Sequence, residues 1–207
     1  MSRLNSDTHR APGRPRASSQ DIPLDQTILH TAARSFMEQG YDPVSLQQIA
    51  KSCGVTKASV YYYFNNKAAL FTAAMLFMLD IAYRETHKML MEDAPLHTRL
   101  ERIAAQKMRQ SHVDMETMMR EATKQLSQEQ LNSIKQAEQA IHLLMAEHFQ
   151  TAMQQNRMRE SDPLFLAHAF SSLLMMSNRG EALYSSVTDP EKLPKIVIEL
   201  FWQGVHP

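Results

Sequence analysis

Between Gly54 and Gly180 the chain contains no glycine, and the same stretch holds proline only at Pro95 and Pro163. Hairpin sheets need Gly- or Asn-type turns every eight to twelve residues or so, and here there is nowhere to make them. The intervening sequence is rich in Ala, Leu, Met, Gln and Glu, which lose little side-chain freedom in a helix. The pattern predicts an all-α fold.

Breakers and caps divide the chain into nine helices. These are Pro23 to Gln39, Ser45 to Cys53, Lys57 to Phe64, Lys67 to Met91, Leu96 to Ser111, Asp114 to Lys124, Gln128 to Asn156, Pro163 to Tyr184 and Pro190 to Val205. Ser45 with Gln48, and Ser127 with Gln130, have capping-box spacing, in which each side chain satisfies a free amide of the first turn. Asp162-Pro163 and Asp189-Pro190 place a capping carboxylate before a proline at the first helical position. Residues 1–20 are low-complexity, with Arg, Pro and Ser, and are expected to form a disordered basic arm. Residues 21–73 and 74–207 are expected to form two further units.

Several classes are excluded early. A lone cysteine, Cys53, rules out a disulfide framework. No apolar run approaches the roughly 18 residues of a membrane span. The polar, Arg-bearing start lacks the apolar stretch of a secretory signal, so a cytoplasmic protein is expected. Lys and Arg balance Asp and Glu at 22 each. The balance hides a split, because residues 1–74 carry eight basic against five acidic side chains. No metalloprotease HExxH, phosphate-binding Gly-rich loop or GxSxG occurs, so no catalytic residue and no cofactor is expected. His87, His97, His112, His142, His148 and His168 make no pair at helical i,i+3 or i,i+4 spacing, so no metal site is expected either.

The chemistry concentrates in residues 45–64. A short helix with Leu46, Ile49 and Ala50 on one face is followed by Gly54-Val55-Thr56, then by a second short helix with Val60 and Phe64. Two short amphipathic helices around a Gly-containing turn form a helix-turn-helix pattern. Thr56 suits the cap of the second helix. The preceding helix, with Ile28, Leu29, Ala32, Ala33 and Phe36, supplies the third member that buries the pair. The second helix then carries Tyr61, Tyr62 and Tyr63 in succession. Successive helical residues turn by about 100°, so one face cannot bury all three rings. An α-helix fits the DNA major groove. Ala58 and Ser59 are small enough for close approach to base edges. Lys57 can donate to guanine or phosphate, and the tyrosines offer rings to thymine methyls and hydroxyls to phosphates.

This stretch resembles the N-terminal DNA-binding domain of TetR-family transcriptional regulators. The resemblance is carried by Ile28-Leu29, Ala32-Ala33, Phe36, Gly40-Tyr41, Val44-Ser45, Ile49-Ala50, Gly54-Val55-Thr56, Val60-Tyr61, Tyr63-Phe64, Lys67 and Leu70. It implies a three-helix DNA-binding domain followed by a six-helix ligand-binding and dimerisation domain, assembled as a homodimer on a palindromic operator. The DNA contacts it implies are Ser45, Thr56, Lys57, Ala58, Ser59, Tyr61, Tyr62, Tyr63 and Lys67. Of these, Lys57, Ser59 and Tyr62 are expected at base edges, and Ser45, Tyr61, Tyr63 and Lys67 at phosphates. Cys53 stands where the family commonly has alanine and is expected to pack as a small apolar residue. In the arm, Arg14 and Arg16 flank a proline in an extended segment that suits a narrow minor groove.

The body is marked by methionine. Thirteen of the fifteen methionines follow residue 74, and their flexible thioethers fill irregular space and reshape around varied guests. Helical spacing gathers Met78, Tyr83, Met108, His112, Met115, Met119, His142, Met145, His148 and Phe149 as candidate pocket residues for a small apolar or aromatic effector. The last two helices carry wide apolar faces, with Phe165, Phe170, Leu173, Leu174, Ile196, Leu200 and Phe201 as candidates for the dimer interface. The expected function is a ligand-responsive homodimeric repressor, with the helix from Lys67 to Met91 as transmitting element. The alternative is a DNA-binding factor whose body binds a protein partner.

Overall fold

The computed structural model describes residues 23–109, 115–175 and 192–207, and these are helical and without strands. The elements are α1 (Leu24–Gln39), α2 (Leu46–Ser52), α3 (Lys57–Tyr63), α4 (Lys67–Leu90), α5 (Leu96–Met108), α6 (Met115–Thr123), α7 (Gln128–Gln154), α8 (Pro163–Leu174) and α9 (Leu193–Val205). The arm with Arg14 and Arg16, His112, and the expected ends of the last two helices at Tyr184 and Pro190 lie outside the described residues.

The helix starts follow from their caps. Both capping boxes form, Ser45 with Gln48 and Ser127 with Gln130. Asp162 accepts from the Phe165 amide at 2.8 Å, with Pro163 in the first turn of α8. Asn66 caps α4, accepting from the Ala69 amide at 2.8 Å. Between α2 and α3 the chain turns at Gly54, whose φ of 68° is left-handed. There the Val55 amide returns to the Ala50 carbonyl at 3.0 Å and the Gly54 amide to Lys51 at 3.2 Å, the paired bonds that close a helix around a left-handed residue.

Two apolar clusters organise the packing. One gathers α1, α2 and α3 against the first half of α4, with Ile28, Phe36, Tyr41, Ile49, Val60, Leu70 and Phe71 buried. It does not stop at the end of the helix-turn-helix, since Met118, Ala122 and Leu126 from the α6 region and Ile134 of α7 belong to it. The other binds the end of α4 to α5, α7, α8 and α9 through Leu90, Leu100, Phe149, Phe170, Ile198 and Phe201. α4 belongs to both clusters. Its 24 residues span about 36 Å, with Leu70 to Met75 in the first and Met89 and Leu90 in the second. Along its length α4 packs successively on α1, α7 and α5.

Candidate nucleic-acid interface and effector recess

α3 has one buried residue, Val60. With so little of a seven-residue helix committed to the core, the rest faces out. Tyr62 is 82% exposed, and Tyr61 and Tyr63 are each 43% exposed. The Tyr62 and Tyr63 rings meet edge to face at 5.1 Å, and the Lys57 ammonium stands 5.4 Å from the centre of the Tyr61 ring. Lys57 and Ala58 are exposed beside them. Thr56 caps the helix by accepting from the Ser59 amide at 3.1 Å, and the Thr56 and Ser59 hydroxyls lie 2.8 Å apart. A polar N-terminal edge and an aromatic ridge thus share one outward surface, with the donors and rings that base edges and phosphates require.

Two expected contacts hold other posts. The Ser45 hydroxyl is engaged with Gln48 in the capping box, so it positions α2 first. Lys67, expected at phosphate, is engaged by the α1–α2 loop in the free chain. Its ammonium donates to the Asp42 carbonyl at 2.9 Å and lies 4.2 Å from the centre of the Tyr41 ring. Burial lowers its pKa, with Asp42 and Glu121 acting in the opposite direction. Lys67 therefore ties the start of α4 to the α1–α2 loop. Cys53 is half-buried, packed against the first cluster, with its sulfur 4.0 Å from the Thr27 carbonyl.

The same loop is joined to the α6 region. Tyr41 Oη donates to Gln125 Oε1 at 3.1 Å, and the Asp42 amide approaches Glu121 Oε2 at 3.4 Å. Burial, then Asp42, raises the Tyr41 pKa, which keeps the hydroxyl protonated as a donor. Sequence reading missed this link because its partners are some eighty positions apart.

The candidate pocket residues are dispersed. Met78 and Met119 pack on the first cluster, Tyr83 and Met108 on the second. Met145 and Phe149 are buried within the second cluster, at 2% and 0% exposure, so they serve as close-packed core rather than as lining. His148 is half-buried, its pKa lowered by burial and by Arg99. Met115 begins α6.

Between the clusters, three residues on core-facing stripes are nevertheless exposed. On α5, Leu96, Leu100 and Ile103 are buried, and Lys107 continues their i, i+4, i+7, i+11 series. On α7, Glu138 stands in the same series between buried Ile134 and buried Ile141. On α4, Ala82 lies midway between buried Met75 and Met89. Solvent reaches Lys107, yet desolvation lowers its pKa, with Glu138 opposing. Beside it, His142 is buried, with Nε2 3.1 Å from Ser171 Oγ and its ring 4.1 Å from that of His168. Burial, then His168 and Lys107, pushes the His142 pKa down to about 4. Of this group only His142 was a sequence candidate. A charge interrupting an apolar stripe was the signal that could have found Lys107 and Glu138. No group of three His, Cys, Asp or Glu able to hold a metal occurs among the described residues.

Comparison with known proteins places the head. Residues 28–74 match the model of bacterial regulatory proteins of the tetR family. Residues 28–74 are thus similar to the DNA-binding segment of tetR-family regulators. The uncharacterized HTH-type transcriptional regulator YuxN of Bacillus subtilis is 39% identical over 62 residues, spanning 30% of this chain and 20% of that protein. The reduced form of E. coli NemR superposes with a TM-score of 0.72 at 16% identity, covering 88% of this chain and 97% of that one. AibR, solved with isovaleryl coenzyme A and operator DNA, superposes with a TM-score of 0.65 at 23% identity over 86% and 97% of the two chains. These likenesses carry the TetR fold through the body, whereas the sequence match stays in the head.

On α8 and α9, the TetR dimer candidates separate into two sets. Phe165, Ile196 and Leu200 are exposed at 65%, 48% and 61%. Phe170, Leu174 and Phe201 are buried within the chain's own core and Leu173 is partly buried against it. The expectation that those three meet a partner is therefore corrected. Met175, at the end of α8, and Leu143 of α7 are further exposed apolar residues that sequence reading did not select. No described helix is long and apolar enough to cross a membrane.

Proposed function

We propose that the protein is a TetR-family homodimeric repressor that grips a palindromic operator through α3 and releases it when a small molecule binds in the helical body. The observation that carries the DNA half is the aromatic surface of α3, with Tyr62 82% exposed on a helix that buries Val60 alone. Rings so exposed cost solvation without return in the free chain and gain contacts in a groove. Lys57, Ser59 and Tyr62 are the base-edge candidates, with Tyr61 and Tyr63 toward phosphate. Phe165, Ile196 and Leu200 form the apolar stripe that would pair with its two-fold mate and set the two α3 helices on one duplex face.

AibR was solved with both a coenzyme A thioester and operator DNA, which supports the same pairing of roles here. Effector binding shifts the equilibrium only by the difference in its affinity for the two states. The shift can reach the head along α4 and through the Tyr41–Gln125 contact.

The test is binding to palindromes near the chain's own gene by fluorescence anisotropy, across a salt series. Lys57→Ala and Tyr62→Ala should each weaken specific binding by about 1–3 kcal/mol while sedimentation shows an intact dimer. Unchanged binding in both variants would remove α3 as the reading helix.

A further inference from the structure

The sequence of α3 is KASVYYY. It contains no Arg, Asn, Gln, Asp or Glu, the side chains that commonly read guanine, adenine and cytosine by hydrogen bonds in the major groove. Lys57 is its one charged donor, and that ammonium rests 5.4 Å from the centre of the Tyr61 ring. The Ser59 hydroxyl lies 2.8 Å from that of Thr56, within the cap of the helix. Most of what α3 can offer to base edges is therefore apolar surface.

The burial pattern decides which part of that surface leads. Val60, the one buried residue of α3, is two positions from both Ala58 and Tyr62. Two helical steps turn by about 200°, so Ala58 and Tyr62 stand one turn apart on the side away from the core. Exposure agrees, with Tyr62 at 82% and its neighbours Tyr61 and Tyr63 at 43% each. The Tyr63 ring meets that of Tyr62 edge to face at 5.1 Å, which favours one orientation of the leading ring. Ala58 is exposed and small, so it lets the helix approach closely and adds its own methyl to the ridge.

The apolar feature of a base pair in the major groove is the thymine C5-methyl, and alanine and aromatic side chains contact it. A cytosine in the same place would present its amino donor to a ring and lose water without a matching acceptor, which is costly. We propose that Tyr62, with Ala58 beside it, reads a thymine methyl in each operator half-site and so sets the base preference at that position. The proposal rests on α3 being the reading helix and adds the chemical group that it reads.

The experiment begins with selection of duplexes from a random library by the full-length protein. Thymines of the selected operator are then replaced one at a time by deoxyuridine, which keeps every hydrogen-bonding group of the pair and loses only the methyl. Fluorescence anisotropy should show a loss of about fourfold at one thymine per half-site, the worth of one buried methyl group, and little change elsewhere. Tyr62→Phe should keep that difference, because the ring remains. Tyr62→Ala should weaken binding to the thymine operator and bring thymine and uracil duplexes to equal affinity. Tyr62 is no part of the core, so circular dichroism of both variants should match the wild type. An operator in which no thymine is sensitive to loss of its methyl overturns the proposal, as does a sensitivity that survives Tyr62→Ala. A sensitivity lost in Tyr62→Phe also overturns it, since the hydroxyl and not the ring would then be the reader. Failure of α3 as the reading helix looks different, with Lys57→Ala and Tyr62→Ala both leaving affinity for the selected operator unchanged. Enrichment of no sequence would overturn both.

Discussion

α3 buries Val60 and turns three tyrosines outward, whereas α5 and α7 keep long apolar stripes buried and let single charges, Lys107 and Glu138, interrupt them. In the head the functional surface is what remains after a minimal core has been satisfied. In the body it is a defect in a core that is otherwise complete. The first kind of site is local, since seven consecutive residues make it. The second, as proposed, would draw on α5, α7 and α8, and it would exist only once those helices have packed. The difference predicts that head variants damage DNA binding alone, that body variants damage the response alone, and that only the shared scaffold damages both.

The largest expected effect belongs to the proposed dimer face, which would pair two heads. Ile196→Glu with Leu200→Glu places charges on the exposed apolar stripe of α9, and neither residue serves the chain's own core. The fold should stand, as read by far-ultraviolet circular dichroism. The dimer should be lost in sedimentation, and operator affinity should fall more than about a hundredfold as the second half-site is forfeited. A variant that remains dimeric and binds normally would move the interface elsewhere.

The next effect separates the body's polar group from the head by acidity. The folded pKa of His142 is about 4, against an ordinary 6.5. Between those values the unfolded chain holds more protons than the folded one, so stability rises with pH. The contribution is complete above about 6.5 and is lost as pH falls toward 4, amounting to about 3 kcal/mol at most. His142 faces His168 and Ser171 from α8 and Lys107 from α5, with Glu138 on its own helix. His148 is shifted in the same direction. His142→Gln should therefore shrink the acid limb of a denaturation-versus-pH curve without erasing it. An acid limb unchanged by the substitution would show that His142 is not held neutral by its surroundings.

How far the two regions could be read beforehand follows from the same contrast. The helices of the described residues, both capping boxes and the Asp162-Pro163 start depend on residues within a turn of each other, so breakers and caps locate them. The tyrosine surface was likewise legible, because helical rotation alone forbids burying three successive rings. Burial depth was not. Phe165 and Phe170 stand on one short apolar helix, yet one is 65% exposed and the other fully buried, and only the positions of α7 and α9 decide which. Lys107 was passed over because a lysine on a helix is usually solvated. Its inward register becomes telling only beside Glu138 and His142. Lys67 shows the converse, a charge expected at DNA that the α1–α2 loop engages.

A smaller effect tests the turn that aims α3. A Cβ at Gly54 would meet nothing within 4 Å, so steric contact is no obstacle there. The cost of Gly54→Ala is the left-handed backbone alone, about 1–2 kcal/mol. The midpoint of chemical denaturation should fall accordingly, while Gly54→Asn, which tolerates that backbone better, should cost less. Equal losses for the two would mean that the turn is not held left-handed in solution.

The smallest effect addresses how the two regions communicate. Tyr41→Phe removes one hydroxyl, the donor to Gln125, and leaves the ring that packs against Phe36 and Phe71. The direct loss of stability should be about 1 kcal/mol. Operator affinity without effector should change little, because Tyr41 is buried away from the α3 surface. The coupling between effector and operator should weaken by up to about fivefold if the α6 region carries part of it. Coupling is reciprocal, so operator-bound protein should lose its discrimination against effector by the same factor. Comparing effector affinity with and without operator separates the contact from a mere loosening of the fold, which would lower both affinities and leave their ratio unchanged. An unaltered coupling would leave α4 and α7, the helices that enter both clusters, as the routes between them.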